Sequence, residues 1–309
     1  MSDPLAQVAT LLKPSALHSK IATGAGPWSA RRSDVSNPLY LAVVEGSCYL
    51  STELTGSVAL LAGDFVLIPS PSEYVLSSLS PAGPEDLVTT PTILPSGELR
   101  VGRTTGSHDV RILMGYCVFG APDANFLINL LPQFLHIREE ERLTTLVRLI
   151  VEEFRATRPA RNLVLPRLLE VLFIEALRSV KGQTAAPGLL KGLADERVAL
   201  ALRLLHQAPE HDWTVAEIAR RVALSRSSFF EYFRQVVGFT PIEYLLNWRM
   251  ALAKDLLLKK EFTVSSIAES VGYSSANAFS VAFRRHVGLS PTRYARGQSL
   301  KQPIDSPDA

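Results

Sequence analysis

The sequence is poor in cysteine. Cys48 and Cys117 are its two thiols in 309 residues, and they stand far apart with no CxxC pair. A disulfide framework and a thiolate zinc site are therefore excluded as organising elements, and each cysteine is expected to behave as a small buried hydrophobe. Long apolar runs are missing too. No stretch approaches the roughly 18 residues that span a bilayer, and the opening Met1-Ser2-Asp3-Pro4 lacks the basic start of a secretory signal, so the expectation is a cytoplasmic chain with no membrane partner.

Histidine is scarce as well. His18, His108, His136, His206, His211 and His286 include no two at the spacing of metal ligands, so neither a metal, a cofactor nor a catalytic residue is expected. A strong overall charge is also lacking: 32 Lys and Arg face 30 Asp and Glu, a net of +2. The balance is uneven, however. Residues 1–194 carry 17 basic and 18 acidic side chains, whereas residues 195–298 carry 14 and 10, which places the excess of positive charge where a polyanion-binding domain would need it.

Hydrophobic residues make up 47% of the chain and charged residues 20%, the composition of a folded globular protein, and the length suits two domains. From Pro38 to Phe119, β-branched and aromatic runs (Leu39 to Leu50, Val58 to Leu61, Phe65 to Ile68, Tyr74 to Leu79, Val110 to Phe119) alternate with turn formers such as Ala62-Gly63-Asp64. That pattern predicts an antiparallel sandwich or barrel, with Pro81 to Gly106 partly loop. After Pro122 the period changes to three and four residues: Leu143, Leu146, Val147, Ile150, Val151 and Phe154 form one stripe, and Leu165, Leu168, Leu169, Leu172, Phe173 and Leu177 form another. These amphipathic helices are expected to close the open side of the barrel and to offer a face to a second copy of the chain. Residues 181–194, broken by Gly182, Pro187 and Gly188, read as a linker between a domain at 1–180 and another at 195–298, with 299–309 a tail.

The most informative feature is a duplication. Ile218-Ala219 and Val222 return as Ile267-Ala268 and Val271, 49 residues on; Ser225, Phe229, Phe233-Arg234, Gly238, Pro241 and Tyr244 return 50 residues on as Ser275, Phe279, Phe283-Arg284, Gly288, Pro291 and Tyr294. Each copy has the grammar of a helix-turn-helix, over about 214–236 and 263–286. In the first, Thr214 and Glu217 have capping-box spacing, the chain turns at Ala223-Leu224, and Ser225 caps a second helix. In the second, Gly272 supplies the turn and Ser274 or Ser275 the cap. Between them Thr240-Pro241-Ile242-Glu243 starts a helix through about Leu258, long enough at about 27 Å to set two recognition helices toward successive major-groove faces.

These residues resemble the AraC/XylS family of bacterial transcription regulators over Asp195 to Arg296, with Phe279, Phe283-Arg284, Gly288, Ser290-Pro291 and Tyr294 as its most specific stretch. Leu39 to Arg138 is similar to the cupin-type sensing domain of many members; Gly63, Pro69, Pro71 and Tyr74 follow a cupin motif with Pro71 in the place of a Gly and Tyr74 in the place of the metal histidine. The resemblance implies an α+β chain of two domains: an N-terminal antiparallel, cupin-like barrel with flanking helices, and an all-α tandem helix-turn-helix. It further implies double-stranded promoter DNA, RNA polymerase and a second copy of the chain as partners, a small-molecule effector, and activation of transcription. Two other readings fit the same residues: a cupin enzyme tethered to DNA, and an architectural DNA-binding protein whose barrel holds no ligand.

By position, the residues facing DNA are Ser225, Arg226, Ser227, Ser228, Phe230 and Glu231 in the first motif, and Ser274, Ser275, Ala276, Asn277, Ser280 and Val281 in the second. Helix N-termini and serines suit phosphate, Asn277 suits adenine, and Arg226 suits phosphate or guanine, while Arg234, Arg284 and Arg285 are placed for phosphate. Regulators of this family commonly carry an arginine late in each recognition helix, where this chain has Glu231 and Val281. For the effector, Tyr40, Tyr49, Tyr74, Arg111 and Tyr116 lie on expected strands and are candidates to line an apolar pocket.

Overall fold

Leu39 to Thr52 form one long strand that bends in its middle. A computed structural model describes residues 3–33, 35, 37–79, 89–120, 124–156, 158–180 and 186–297. Its sheet-rich part contains β1 (Pro14–Ala25), β2 (Ser29–Arg32), β3 (Leu39–Thr52), β4 (Gly56–Leu61), β5 (Phe65–Ile68), β6 (Tyr74–Ser77), β7 (Thr92–Ile93), β8 (Leu99–Gly102), β9 (Val110–Phe119) and β10 (Leu135–Ile137). Before β1 comes helix α1 (Pro4–Leu12), and between β9 and β10 comes α2 (Ala124–Asn129).

The bend in β3 makes the barrel. Its first half pairs with β5 and β9 and its second half with β4 and β6, and the register slips between Val43 and Glu45. Gly46, at φ +74°, lies at the bend, where a β-carbon would stand 1.9 Å from the carbonyl oxygen of Asp109. Only glycine fits such backbone contact with a left-handed φ. Leu39, Leu41 and Val43 before the bulge and Cys48 and Leu50 after it share one core with Trp28, Val66, Tyr74, Leu76, Val110 and Ile112. The pairing is antiparallel throughout except for β1 with β8, which is parallel. Both cysteines are buried, as expected, and burial pushes their thiols up to about 12.

Two structural features were not anticipated. The strands begin at Pro14 rather than Pro38, and the stretch expected to be partly loop holds β7 and β8, while its residues 81–88 lie outside the described residues. The helices α3 (Glu141–Arg155) and α4 (Arg161–Arg178) pack on each other and on the strands through Leu143, Val147, Ile150 and Val151 and through Leu169, Leu172 and Phe173. Of the expected stripes, Leu146, Phe154, Leu165 and Leu168 are only half-buried.

The helical part contains α5 (Leu189–Ala194), α6 (Glu196–Gln207), α7 (Val215–Arg221), α8 (Arg226–Val237), α9 (Pro241–Lys259), α10 (Val264–Ser270), α11 (Ala276–Val287) and α12 (Pro291–Gly297). The second half of the expected linker is thus the helix α5, ordered because Leu189 and Leu190 are buried. By contact the chain forms two units, one of residues 14–119 and 131–186, the other of residues 1–13, 120–130 and 187–309, so the units cut across any single boundary in sequence. Within the second unit α1 packs on α2, α6 and α9, with Val8 and Leu12 fully buried. Among the described residues no helix is long and apolar enough to cross a membrane.

Candidate nucleic-acid interface

The two motifs are built alike from caps and turns. Thr214 accepts from the amide of Glu217 to start α7, Ser225 accepts from that of Ser228 to start α8, Thr263 from that of Ser266 to start α10, and Ser275 from that of Ala278 to start α11. Each satisfies an orphan N–H of a first turn. The Thr214 cap is not the reciprocal box that its spacing predicted: the Glu217 carboxylate turns instead to His211, at 3.2 Å. The full box forms at Thr240 and Glu243, ahead of α9. The turns use left-handed residues at matched places, Ala223 at φ +54° and Gly272 at φ +81°, and the extra residue of the second motif is inserted just after, as Tyr273-Ser274 in place of Leu224.

The cores repeat as well. Phe229 and Phe233 meet as tilted rings at 5.6 Å with Tyr244 edge-on at 5.9 Å beyond, and their counterparts Phe279, Phe283 and Tyr294 follow at 5.5 Å and 5.5 Å. Ile218 and Ala219 are buried likewise, and Ile267 and Ala268 share one core with Phe279, Phe283 and Tyr294. With that face committed inward, the opposite face of each recognition helix is left to solvent. The helix α9 joining the motifs is continuous over 19 residues, about 28 Å. Its Arg249 donates to the carbonyls of Pro209 at 2.6 Å and His211 at 2.8 Å, fixing the loop ahead of α7.

On the first motif Ser225, Arg226, Ser227, Ser228, Glu231 and Arg234 are exposed, and Phe230 is half-buried. On the second Ser274, Ser275, Asn277, Arg284 and Arg285 are exposed, and Ala276 and Ser280 are half-buried. Each group thus lies at the N-terminal end or along the outer face of its recognition helix. Ser225 and Ser275 are committed as caps, Ser280 donates its hydroxyl to the carbonyl of Ala276 at 2.7 Å, and Glu231 pairs with Arg234 at 3.1 Å. Arg226, Asn277, Arg284 and Arg285 are exposed long polar side chains on these helices.

Sequence reasoning missed two anchors of this unit. Tyr232 donates to Asp195, which also caps α6, and so ties α8 to that helix. His206 is buried between Gln7, 2.8 Å from Nδ1, and Tyr244, 2.6 Å from Nε2, and stacks on Trp248 at 4.0 Å. Burial pushes its pKa down to about 3, so it is a neutral imidazole that donates from Nδ1 and accepts the Tyr244 hydroxyl.

The five effector candidates are not brought together. Tyr74 and Tyr116 belong to the barrel core, their hydroxyls 3.0 Å apart. Tyr40 and Tyr49 alternate with core residues and take the other face of β3. Tyr40 is hydrogen-bonded to Ser19 and lines a cavity of 10 Å³ with Phe65, Cys117 and Phe173, room for about one water. Arg111 faces away from the core and pairs with Glu45, whose carboxyl is held below the usual range by its hydrogen bond with His108 and then by the Arg111 charge. A wider cleft of 670 Å³ opens beside β10, where His136 and Asp64 stand 2.9 Å apart.

Comparison with known proteins agrees with this geometry. Residues 3–181 match the family model described as cupin, and residues 218–297 match one described as helix-turn-helix domain. An AraC-like transcription regulator of Streptomyces lividans is 33% identical over 305 residues, 96% of this chain and 99% of that protein. The chain belongs to the AraC family of transcription regulators. Among other members, the regulator AlkR of Acinetobacter baylyi is 29% identical over 82% of this chain and 85% of its own length. The activator RclR of Escherichia coli is 27% identical over 82% of each. The solved DNA-binding domain of AdpA, in complex with a target DNA, is 28% identical over 36% of this chain and 99% of that one, with a TM-score of 0.33. In this AraC-family chain the two helix-turn-helix motifs are the DNA-binding region, and the barrel is its cupin domain.

Proposed function

We propose that this regulator binds double-stranded promoter DNA at specific sequences through both motifs, that a small molecule held in the N-terminal barrel controls the binding, and that contact with RNA polymerase makes the outcome activation. The observation that carries the reading is the matched pair of capped recognition helices on either side of one uninterrupted helix, α9. One protomer then offers two readers to one duplex. Arg226 and Asn277 are the base-reading residues, and Arg284 and Arg285 hold phosphate.

Two features support the remaining parts. Leu149, Leu163 and Val171 on α3 and α4 are 45%, 72% and 44% exposed, apolar side chains suited to contact with a second copy of the chain. The 670 Å³ cleft beside β10, lined by Phe134, His136, Ile137 and Arg138, has the size and mixed lining of a small-molecule site. An effector that binds one dimer arrangement better than another would shift the placing of the DNA-binding regions.

A reporter gene behind a bound promoter tests the proposal. Transcription should rise when the wild-type chain is supplied and stay at baseline with the double variant Arg226→Ala, Asn277→Ala. Equal transcription with and without the chain would contradict activation, and a fall would make it a repressor.

A further inference from the structure

Positions 231 and 281 are the same place in the two recognition helices, 50 residues apart, and they carry opposite chemistry: Glu231 and Val281. Val281 is 64% exposed, with the exposed polar Asn277, Arg284 and Arg285 and the small Ala278 around it. Its neighbours two residues either way, Phe279 and Phe283, are fully buried, so the packing of α11 makes no use of an apolar group at 281. Helix formation gains nothing from it either, because a β-branched side chain loses rotamer freedom in a helix.

A major groove does offer such a group a partner. Thymine presents a C5-methyl there, and apolar side chains pack against it. One turn toward the N-terminus, Asn277 is exposed on the same face, and asparagine pairs with N6 and N7 of adenine. Ser280, beside Val281, has its proton engaged with the carbonyl of Ala276 and does not donate to a base edge. In the corresponding places the first motif presents Ser227 for Asn277 and Glu231, ion-paired with Arg234, for Val281. We propose that Val281 is a specificity-determining residue that packs on a thymine methyl, so that with Asn277 the second motif selects A·T pairs while the first motif does not. This rests on the reading that both motifs bind DNA. One helical turn advances about 5.4 Å, between one and two base-pair steps, so the adenine and the thymine are close neighbours in the site.

The test begins with the full-length chain enriching binders from a random duplex pool. The enriched duplex is remade with each thymine in turn replaced by deoxyuridine, which differs only in lacking the methyl group. At one position the replacement should weaken wild-type binding by about fourfold, the scale of one buried methyl group. Val281→Ala, whose fold is checked by circular dichroism and Tm, should distinguish the thymine and deoxyuridine duplexes less than the wild type does, and an undiminished difference would overturn the proposal. Equal wild-type affinity for both at every position would overturn the proposal while leaving the DNA-binding reading intact. Enrichment of no sequence would overturn both.

Discussion

The carboxylate of Glu231 holds the guanidinium of Arg234 at 3.1 Å across one turn of the first recognition helix, with both side chains more than half exposed. A surface pair of this kind contributes little to stability, about 0.3–0.5 kcal/mol. Its consequence is for DNA. Under the proposed function it engages a cation that would otherwise be free for phosphate and sets an anion on the face proposed to meet DNA. Glu231→Gln is therefore expected to raise affinity for any duplex at low salt. Fluorescence anisotropy over a salt series should show the slope of log K against log salt steepen by about one phosphate contact, roughly 0.9. An unchanged slope would mean that Arg234 does not reach the backbone.

His206 ties acid sensitivity to this same unit. Folded, it stays neutral because burial pushes its pKa down to about 3, while in the unfolded chain it has the ordinary value of 6.5. Between those values the unfolded chain binds a proton that the folded chain does not. The contribution is complete above about pH 6.5 and is lost as pH falls toward 3, by at most about 1.4 kcal/mol per pH unit. Urea denaturation followed by tryptophan fluorescence at pH 7 and pH 5 should show the loss. Tyr244→Phe, which removes the donor at 2.6 Å, should cost about 1 kcal/mol at pH 7.

Gly46→Ala is expected to disrupt the barrel. The position combines a φ of +74° with a backbone oxygen 1.9 Å from where the new carbon would stand. The penalty is more than the roughly 1 kcal/mol of a left-handed alanine, since the β3–β9 pairing at Gly46 and Val110 must open. Loss of the barrel's cooperative thermal transition is the expected result. Unchanged melting would show that the bend is looser than the geometry indicates.

Removal of residues 1–13 should weaken the DNA-binding unit. Val8 and Leu12 are fully buried there, and Lys13 reaches Asp255 at 2.6 Å. Two apolar side chains at about 1.5–3 kcal/mol each predict a loss of about 3 kcal/mol or more. Trp213 and Trp248, both in this unit, report it by fluorescence during urea denaturation. A fragment as stable as the intact chain would show that α1 contributes nothing to that unit.

The helical region was legible in the sequence because its devices are local. Thr240, Ser225 and Ser275 announce helix starts, Gly272 announces a turn, and the repeated Phe-Phe-Tyr spacing fixes which face turns inward. The barrel was legible from Leu39 onward for the same reason: β-branched runs stand between turn formers. The segment Pro14–Ala25 was not, since lysine, glycine and small residues give it no alternation, and it becomes a strand only by pairing with β9 and β8. Tertiary burial likewise turned Leu189–Ala194 from an expected linker into a helix. The effector candidates were chosen by residue type, and two features separate them. Arg111 and Tyr116 are five residues apart on one strand, so simple alternation sends them to opposite faces. The bulge between Val43 and Glu45 reverses the parity of β3, which puts Tyr40 and Tyr49 together on the face away from the core, and no single sequence displays a bulge of that kind in advance.

Both motifs are proposed to read one duplex. Genomic DNA captured with the purified full-length chain, sequenced and then confirmed by anisotropy, tests it directly. The expected result is a discrete site with two boxes about one helical turn apart, roughly 10 base pairs, in which alteration of either box lowers affinity. Recovery of diffuse fragments that share no sequence and bind with the same strong salt dependence would contradict it.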